Sequence, residues 1–338
     1  MTTYRAAADR YERLQYRRAG RSGLDLPALS LGLWQKFGAD YPFEKQREIV
    51  LHAFDLGITH FDNANRYGPP FRAAEQFFGQ VLRTDLAPYR DELILTTKAG
   101  NPISPSPYFK GGSRKSLLAS LDHSLRDLGT EYVDIFYHHR ADPSTPLEET
   151  AGALVSAVQQ GKALYVGVSN YPTEQAHAMA ELLRAAGVPL LVHQPRYSIF
   201  DRGPENSGLL KLAAADGFGL VAYSPLAQGL LTDKYLDGRI PAGARAANST
   251  FLSPEQIDDV YRERAAALNG IARDRGQSLA QLALQWVLRR PEITTALIGA
   301  SSTGQLDHNV AALDFPPLTE AELTLIDQHG IHGTGQRT

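Results

Sequence analysis

The sequence predicts an α/β chain folded as a closed (β/α)8 (TIM) barrel, with an N-terminal β-hairpin before it and additional C-terminal helices after it. Three observations carry this expectation. From about residue 28 onward, short apolar runs alternate with longer helical patterns, the signature of repeated βα units around a parallel sheet. Eight such units follow one another, which favours a closed barrel over an open sheet. Gly57, Gly129, Gly161 and Gly187 each follow a helical stretch and precede a strand, where a left-handed C-terminal cap belongs. The length of 338 residues accommodates a barrel of about 250 residues with inserted loops.

Taken in order, Arg21-Ser22-Gly23-Leu24 reads as the turn of a hairpin that plugs the lower end of the barrel. Strands are expected at 29–33, 59–62, 93–97, 133–137, 164–168, 191–193, 219–223 and 294–298. Helices are expected at 44–56, 73–83, 113–128, 147–160, 173–186 and 207–215. Two more, at 254–275 and 278–289, precede the last strand, and one at 305–313 follows it. Ser113 stands before an amphipathic run, as an N-cap does. A last helix at 320–328 lies outside the repeats. The whole chain, 1–338, therefore reads as one domain: extension and hairpin 1–27, barrel core 28–313, C-terminal helix and tail 314–338. Two long loops, 101–107 and 227–253, are of the length that carries function.

Composition narrows the partners. Hydrophobic residues make up 43% and charged residues 21%, an ordinary globular balance. A net charge of −3 gives no general basic field, which argues against nucleic acid. With no cysteine, disulfides, thiolate metal sites and a cysteine nucleophile are excluded. Residues 1–20 are charged and lack the apolar segment of a secretory signal. No apolar run approaches the roughly 20 residues that span a bilayer. The expectation is a cytoplasmic protein acting on a small molecule, without a membrane or metal partner.

Barrel active sites lie at the C-terminal ends of the strands. The polar residues there are Asp62, with Tyr67 five residues on, Lys98, His139, Ser169 and Asn170, Gln194, and Tyr223 with Ser224. An acid, a phenol, a lysine and an imidazole from three adjacent strands thus face one another. Singly each has a bland reading. Asp62 and Lys98 make a structural ion pair, Tyr67 packs, and of the adjacent His138 and His139 one points away.

The pieces His60-Phe61-Asp62-Asn63-Ala64 through Tyr67-Gly68, Thr97-Lys98, Asp134 through His139, Gly167-Val168-Ser169-Asn170 and Tyr223-Ser224-Pro225-Leu226 resemble the aldo-keto reductases in order and spacing. The likeness runs from Tyr16 to about His329. It is nearest to the branch of bacterial L-glyceraldehyde 3-phosphate reductases and potassium-channel beta subunits. The resemblance implies a catalytic tetrad of Asp62, Tyr67, Lys98 and His139. Hydride arriving at a carbonyl carbon leaves charge on oxygen, so an acid must deliver a proton there. Tyrosine is a weak acid, with a pKa near 10. A nearby Lys98 ammonium is expected to lower it, Asp62 to hold the ammonium, and His139 to orient the substrate oxygen.

Side chains cannot supply hydride, so a carrier is needed. The stretch Gly217 to Ala222 matches a loose GxGxxA pattern, but it opens a strand, so it is no Rossmann fingerprint. The resemblance instead implies NADPH. Ser169, Asn170 and Gln194 would take the carboxamide and Tyr223 the ring. Ser224, Pro225, Leu226, Gln228 and Gly229 would meet the pyrophosphate, and Lys234 and Arg245 would clamp a 2′-phosphate. Gly299, Ser301, Gln305 and Asn309 would line the adenosine end; His308 stands where a carboxylate is expected. Trp34, Arg66, Arg140 and Arg196 are the substrate candidates, with Tyr108 and Phe109 as further apolar walls. The arginines suit a substrate phosphate or, equally, surface ion pairs.

The expected reaction is NADPH-dependent reduction of small aldehydes or ketones, L-glyceraldehyde 3-phosphate or methylglyoxal-like carbonyls. Two alternatives stay open: a cofactor-binding, channel-subunit-like regulator with little turnover, and a Schiff-base lyase using Lys98. His139 disfavours the regulator, because channel subunits carry Asn there. An Asp62 beside Lys98 disfavours the lyase, because it keeps the amine charged. Resemblance also implies a homo-oligomer.

Overall fold

A computed structural model describes residues 4–242, 244–248 and 252–330, without the side chains of Arg245 and Asn248. A short antiparallel hairpin, β1 (Tyr16–Arg18) and β2 (Asp25–Pro27), opens the fold. The barrel follows as β3 (Leu29–Gly32), α1 (Phe43–Asp55), β4 (His60–Asp62), α2 (Ala73–Val81), β5 (Ile94–Ala99), α3 (Arg114–Leu128), β6 (Val133–His138) and α4 (Leu147–Gln159). It continues through β7 (Ala163–Ser169), α5 (Thr173–Ala185), β8 (Leu190–Gln194), α6 (Gly203–Asn206), α7 (Leu209–Asp216) and β9 (Gly219–Tyr223). Next come α8 (Arg245–Asn248), α9 (Asp259–Asp274), α10 (Leu279–Leu288), β10 (Ile293–Ile298), α11 (Thr303–Val310) and α12 (Glu320–His329). Eight parallel strands close in the order β10-β3-β4-β5-β6-β7-β8-β9.

Two apolar layers hold the barrel. The larger lies between strands and helices, with Phe61 and Phe78 packed at 5.1 Å and Leu95, Leu121 and Val166 fully buried. The smaller fills the interior: Ile135, Tyr137, Leu191, Val192 and Val221 close on Ala19 and Leu26 of the hairpin. The hairpin does plug the lower end. Gly20 lies so close to Gly217 that a Cβ would sit 2.1 Å from its carbonyl oxygen, and Arg17 bonds the carbonyls of Leu288 and Ile293.

Helix ends follow local chemistry. Ser113 caps α3 by accepting from the Ser116 amide, and Gly57, Gly129, Gly161 and Gly187 all take φ between 66° and 88°. Thr319 and Glu322 form a reciprocal capping box on α12, which docks on the body through Arg275–Glu322 and Arg202–Asp327.

Most differences from expectation lie at boundaries. The helix expected at 73–83 ends as an α-helix at Val81 and continues as a wider turn through Leu86, ahead of Pro88, which has no amide to donate. The helix expected at 207–215 runs from Leu209 to Asp216, because Gly208 at φ +75° stands before it as the N-cap, and a short helix at Gly203–Asn206 that was not expected precedes it. Strands β5 to β8 run further than the apolar runs suggest, because their polar rim residues still pair. The long loop 227–253 carries short helical turns at Ala227–Gly229, Asp233–Tyr235 and Arg245–Asn248. Among the described residues no helix is long and apolar enough to cross a membrane.

Candidate active site

Strand periodicity builds the site. Residues two apart on a strand share a face, so β4 presents His60 and Asp62 to the interior, and β5 presents Thr96 and Lys98. Register places Asp62 beside Thr96 and Lys98 beside Tyr137. The Lys98 side chain is fully buried, and its ammonium uses all three donors: 2.5 Å to Asp62 Oδ2, 2.9 Å to the Asn63 carbonyl and 3.1 Å to the Tyr67 hydroxyl. Asp62 is equally committed, because its Oδ1 accepts from Thr96 Oγ1 and Gln194 Nε2, each at 3.0 Å. A buried ion pair is tolerable only when the remaining valences are satisfied this way.

His139 follows β6 directly, and its amide donates to the Ala99 carbonyl at 2.8 Å. Its ring stands edge-on to Tyr67, centroids 6.0 Å apart and planes at 79°. The neighbouring His138 turns away and bonds the Tyr171 hydroxyl at 2.6 Å, a structural role. Burial and the positive charge of Lys98 push His139 well below its ordinary range, so its imidazole is neutral. Such a ring still donates one hydrogen bond to an oxygen without delivering its proton.

For Tyr67 the electrostatics run opposite to the expectation. Burial pushes the phenol well above its ordinary value, and the Asp62 charge adds to it. Lys98 does not reverse this, because the carboxylate offsets its charge and burial pulls the amine itself below its ordinary value. The hydroxyl therefore keeps its proton and is available as a donor.

Around this core a second network runs along the rim. Ser169 Oγ donates to the Gln194 carbonyl at 2.9 Å, and Asn170 Nδ2 donates to Ser169 Oγ at 2.9 Å and to the His139 carbonyl at 3.1 Å. The Tyr223 hydroxyl donates to Asn170 Oδ1 at 2.7 Å. Beyond it the backbone takes left-handed conformations at Ser224, Ala227, Gln228 and Gly229, with Pro225 buried and Leu226 half-buried between. Within this turn the Ala227 amide donates to the Ser224 carbonyl and the Gly229 amide to the Leu226 carbonyl, each at 2.9 Å. Gln228 Oε1 and Asn309 Nδ2 are buried without a hydrogen-bond partner among the described residues. A polar ligand with donors and acceptors fits these orphans, as a dinucleotide does.

The remaining candidates lie apart from that network. Lys234 is exposed, and the Arg245 side chain lies outside the described residues. Gly299 and Ser301 are exposed after β10, Gln305 accepts from the Ser301 amide at 3.0 Å, and His308 bonds Ser278 Oγ at 2.7 Å. Trp34 is half-buried after β3, and Tyr108 is exposed. Arg66 donates to the Pro102 carbonyl and covers the Phe71 ring at 5.0 Å. Arg196 pairs with Asp201 at 3.1 Å, and Arg140 is exposed.

Sequence reasoning missed Thr96 and Tyr137. The first sits two residues before Lys98 on one strand, a signal the alternation already contained. The second places its ring 5.5 Å from the Lys98 ammonium, which only strand register reveals.

A closed parallel barrel whose C-terminal rim gathers a buried carboxylate–ammonium–phenol chain and a neutral imidazole is the framework of a carbonyl-reducing enzyme. The aldo/keto reductase family profile matches residues 28–331, and the chain belongs to that family. It is 53% identical over 328 residues to "L-glyceraldehyde 3-phosphate reductase" of Escherichia coli (strain K12), covering 96% of this chain and 94% of that one. It is 36% identical over 318 residues to "Probable voltage-gated potassium channel subunit beta" of Oryza sativa subsp. japonica, covering 92% and 94%. An aldo-keto reductase from Bacillus halodurans in its holo form superposes with a TM-score of 0.75 at 26% identity, over 96% of this chain and all of that one. The chain is an oxidoreductase that reduces carbonyl groups, and family membership implies a nicotinamide cofactor.

Proposed function

We propose that this chain reduces short aldehydes with NADPH, with L-glyceraldehyde 3-phosphate the leading substrate and methylglyoxal-like carbonyls beside it. The observation that carries the reading is the Lys98 ammonium held between Asp62 Oδ2 and the Tyr67 hydroxyl, next to a neutral His139. When bound, the cofactor supplies hydride to the carbonyl carbon. Tyr67 delivers a proton to the oxygen. His139 donates a hydrogen bond that orients that oxygen, and Lys98 takes up the negative charge left on the phenol. Asp62 keeps the amine protonated and aimed.

Cofactor binding falls to Ser169, Asn170, Gln194 and Tyr223 at the nicotinamide end. The left-handed turns from Ser224 to Gly229 face the pyrophosphate, and Gly299, Ser301, Gln305 and Asn309 serve the adenosine end. Lys234 and Arg245 select the 2′-phosphate, so Arg245→Ala weakens NADPH far more than NADH. The one-domain barrel works in the cytoplasm as a homo-oligomer. The identity to an L-glyceraldehyde 3-phosphate reductase over nearly the full chain supports the enzyme over the channel-subunit alternative. Steady-state oxidation of NADPH with L-glyceraldehyde 3-phosphate and with methylglyoxal tests the reading. Turnover supports it, and tight NADPH binding without turnover supports the regulator.

A further inference from the structure

Three arginines ring the mouth, and their environments differ. Arg196 is neutralised by Asp201, whose carboxylate holds its Nε at 3.1 Å and would repel an incoming anion. Arg66 is tied to the Pro102 carbonyl and lies on the Phe71 ring. Arg140 is exposed, immediately follows His139, and among the described residues has neither a carboxylate nor a carbonyl partner. Its charge is also felt at both sides of the site: it depresses the protonation of His139 with Arg66, and it stabilises the ionised form of Tyr223 with Arg196. His139 and Tyr223 are tied through Asn170, which donates to the carbonyl of one and accepts from the hydroxyl of the other. Arg140 is thus the one cation of the three that, among the described residues, stands exposed beside His139 with no protein partner on its fork.

We propose that Arg140 is the specificity residue for a phosphorylated three-carbon aldehyde, taking the terminal phosphate while the carbonyl oxygen lies between the Tyr67 hydroxyl and the His139 imidazole. This rests on the reduction of L-glyceraldehyde 3-phosphate proposed above and adds the residue that recognises its phosphate. A guanidinium presents two parallel N–H groups that match two phosphate oxygens, and a free fork loses no existing partner on binding. Arg66 and Arg196 are each held in place through one nitrogen, Nη1 on the Pro102 carbonyl and Nε beside the Asp201 carboxylate, whereas Arg140 is free to turn its fork to the ligand.

The test compares kcat/KM for glyceraldehyde 3-phosphate and for unphosphorylated glyceraldehyde, with NADPH, in the wild type, Arg140→Gln and Arg140→Lys. The ratio of the two falls about tenfold or more in Arg140→Gln and by less in Arg140→Lys, which keeps the charge and loses the fork. Inorganic phosphate competes with glyceraldehyde 3-phosphate in the wild type and loses this effect in Arg140→Gln. A ratio that stays at the wild-type value, whether both substrates suffer equally or neither suffers, overturns the assignment. Should the wild type reduce neither aldehyde, the activity reading fails by itself. Calorimetric titration of inorganic phosphate into the wild type and Arg140→Gln then decides the phosphate seat: equal binding, or none to either, overturns it.

Discussion

Replacing Asp62 by Asn isolates what the buried carboxylate does. The amide keeps the shape, but its charge is gone, and one of its faces now donates. Either that face meets the Lys98 ammonium, donor against donor, or it meets Thr96 and Gln194, both of which donate to Asp62 in the native protein. Breaking a buried pair by removing one partner costs about 3–5 kcal/mol. The alternative route is for Lys98 to fold without its proton. An amine with an unfolded pKa of about 10.4 surrenders that proton at pH 7 at about 1.36 kcal/mol per unit, which comes to about 4.6 kcal/mol. The two routes agree in size. Burial already pulls Lys98 below its ordinary value in the native protein, and Asp62 is the main group that opposes it, ahead of Glu75, so the variant takes the second route. The sign then follows. With the folded pKa depressed below the unfolded one, the unfolded chain binds the extra proton at neutral pH, and the variant's stability rises with pH toward about 10.4. Urea unfolding of both proteins at pH 7 and pH 9 measures this. The expected loss at pH 7 is about 4 kcal/mol, shrinking by about 2.7 kcal/mol at pH 9. A loss below about 1 kcal/mol, or one that does not change with pH, refutes the reasoning.

Glu75 lies fully buried against Thr97, behind Lys98, and burial raises its carboxyl to about 7. Because the folded value exceeds the unfolded one, its contribution is fully present below pH 4.5 and is lost as pH rises through 7, so Glu75→Gln stabilises the protein by up to about 3 kcal/mol at pH 8 and leaves it unchanged at pH 4, read from denaturant midpoints. A Cβ on Gly79 would sit 2.2 Å from the Asp127 carbonyl oxygen of α3, so Gly79→Ala pushes α2 and α3 apart and costs about 1–3 kcal/mol in a thermal or urea melt. Since Tyr67 is held protonated well past the ordinary tyrosine value, the pH profile of kcat for reduction shows no falling limb from this group below pH 10; a limb in the neutral range that disappears in a Tyr67 variant would contradict that.

The eight-strand barrel was legible in the sequence because its signals are local and repeated: an apolar run, a glycine turn, an amphipathic run. The clustering of Asp62, Tyr67, Lys98 and His139 was legible for a different reason, the four falling in a recognised order at strand ends. What escaped depends on through-space neighbours. The rise in the Tyr67 pKa follows from burial and from the Asp62 charge, neither of which the spacing of Tyr67 and Lys98 contains. The double duty of Gln194, whose amide supports Asp62 from 132 positions away, follows from closure of the barrel. Likewise three mouth arginines look alike in sequence. Only the fold shows that Asp201 occupies one, that Pro102 and Phe71 hold another, and that Arg140 has no partner among the described residues.

The most direct test of the central claim is single-turnover reduction of a short aldehyde by NADPH-loaded protein, wild type against Tyr67→Phe, followed by the absorbance of the reduced nicotinamide. With Tyr67 as proton donor, the variant binds NADPH normally and loses at least about 10² to 10⁴ in the chemical rate. A variant that reduces the aldehyde at the wild-type rate would show that the proton comes from elsewhere.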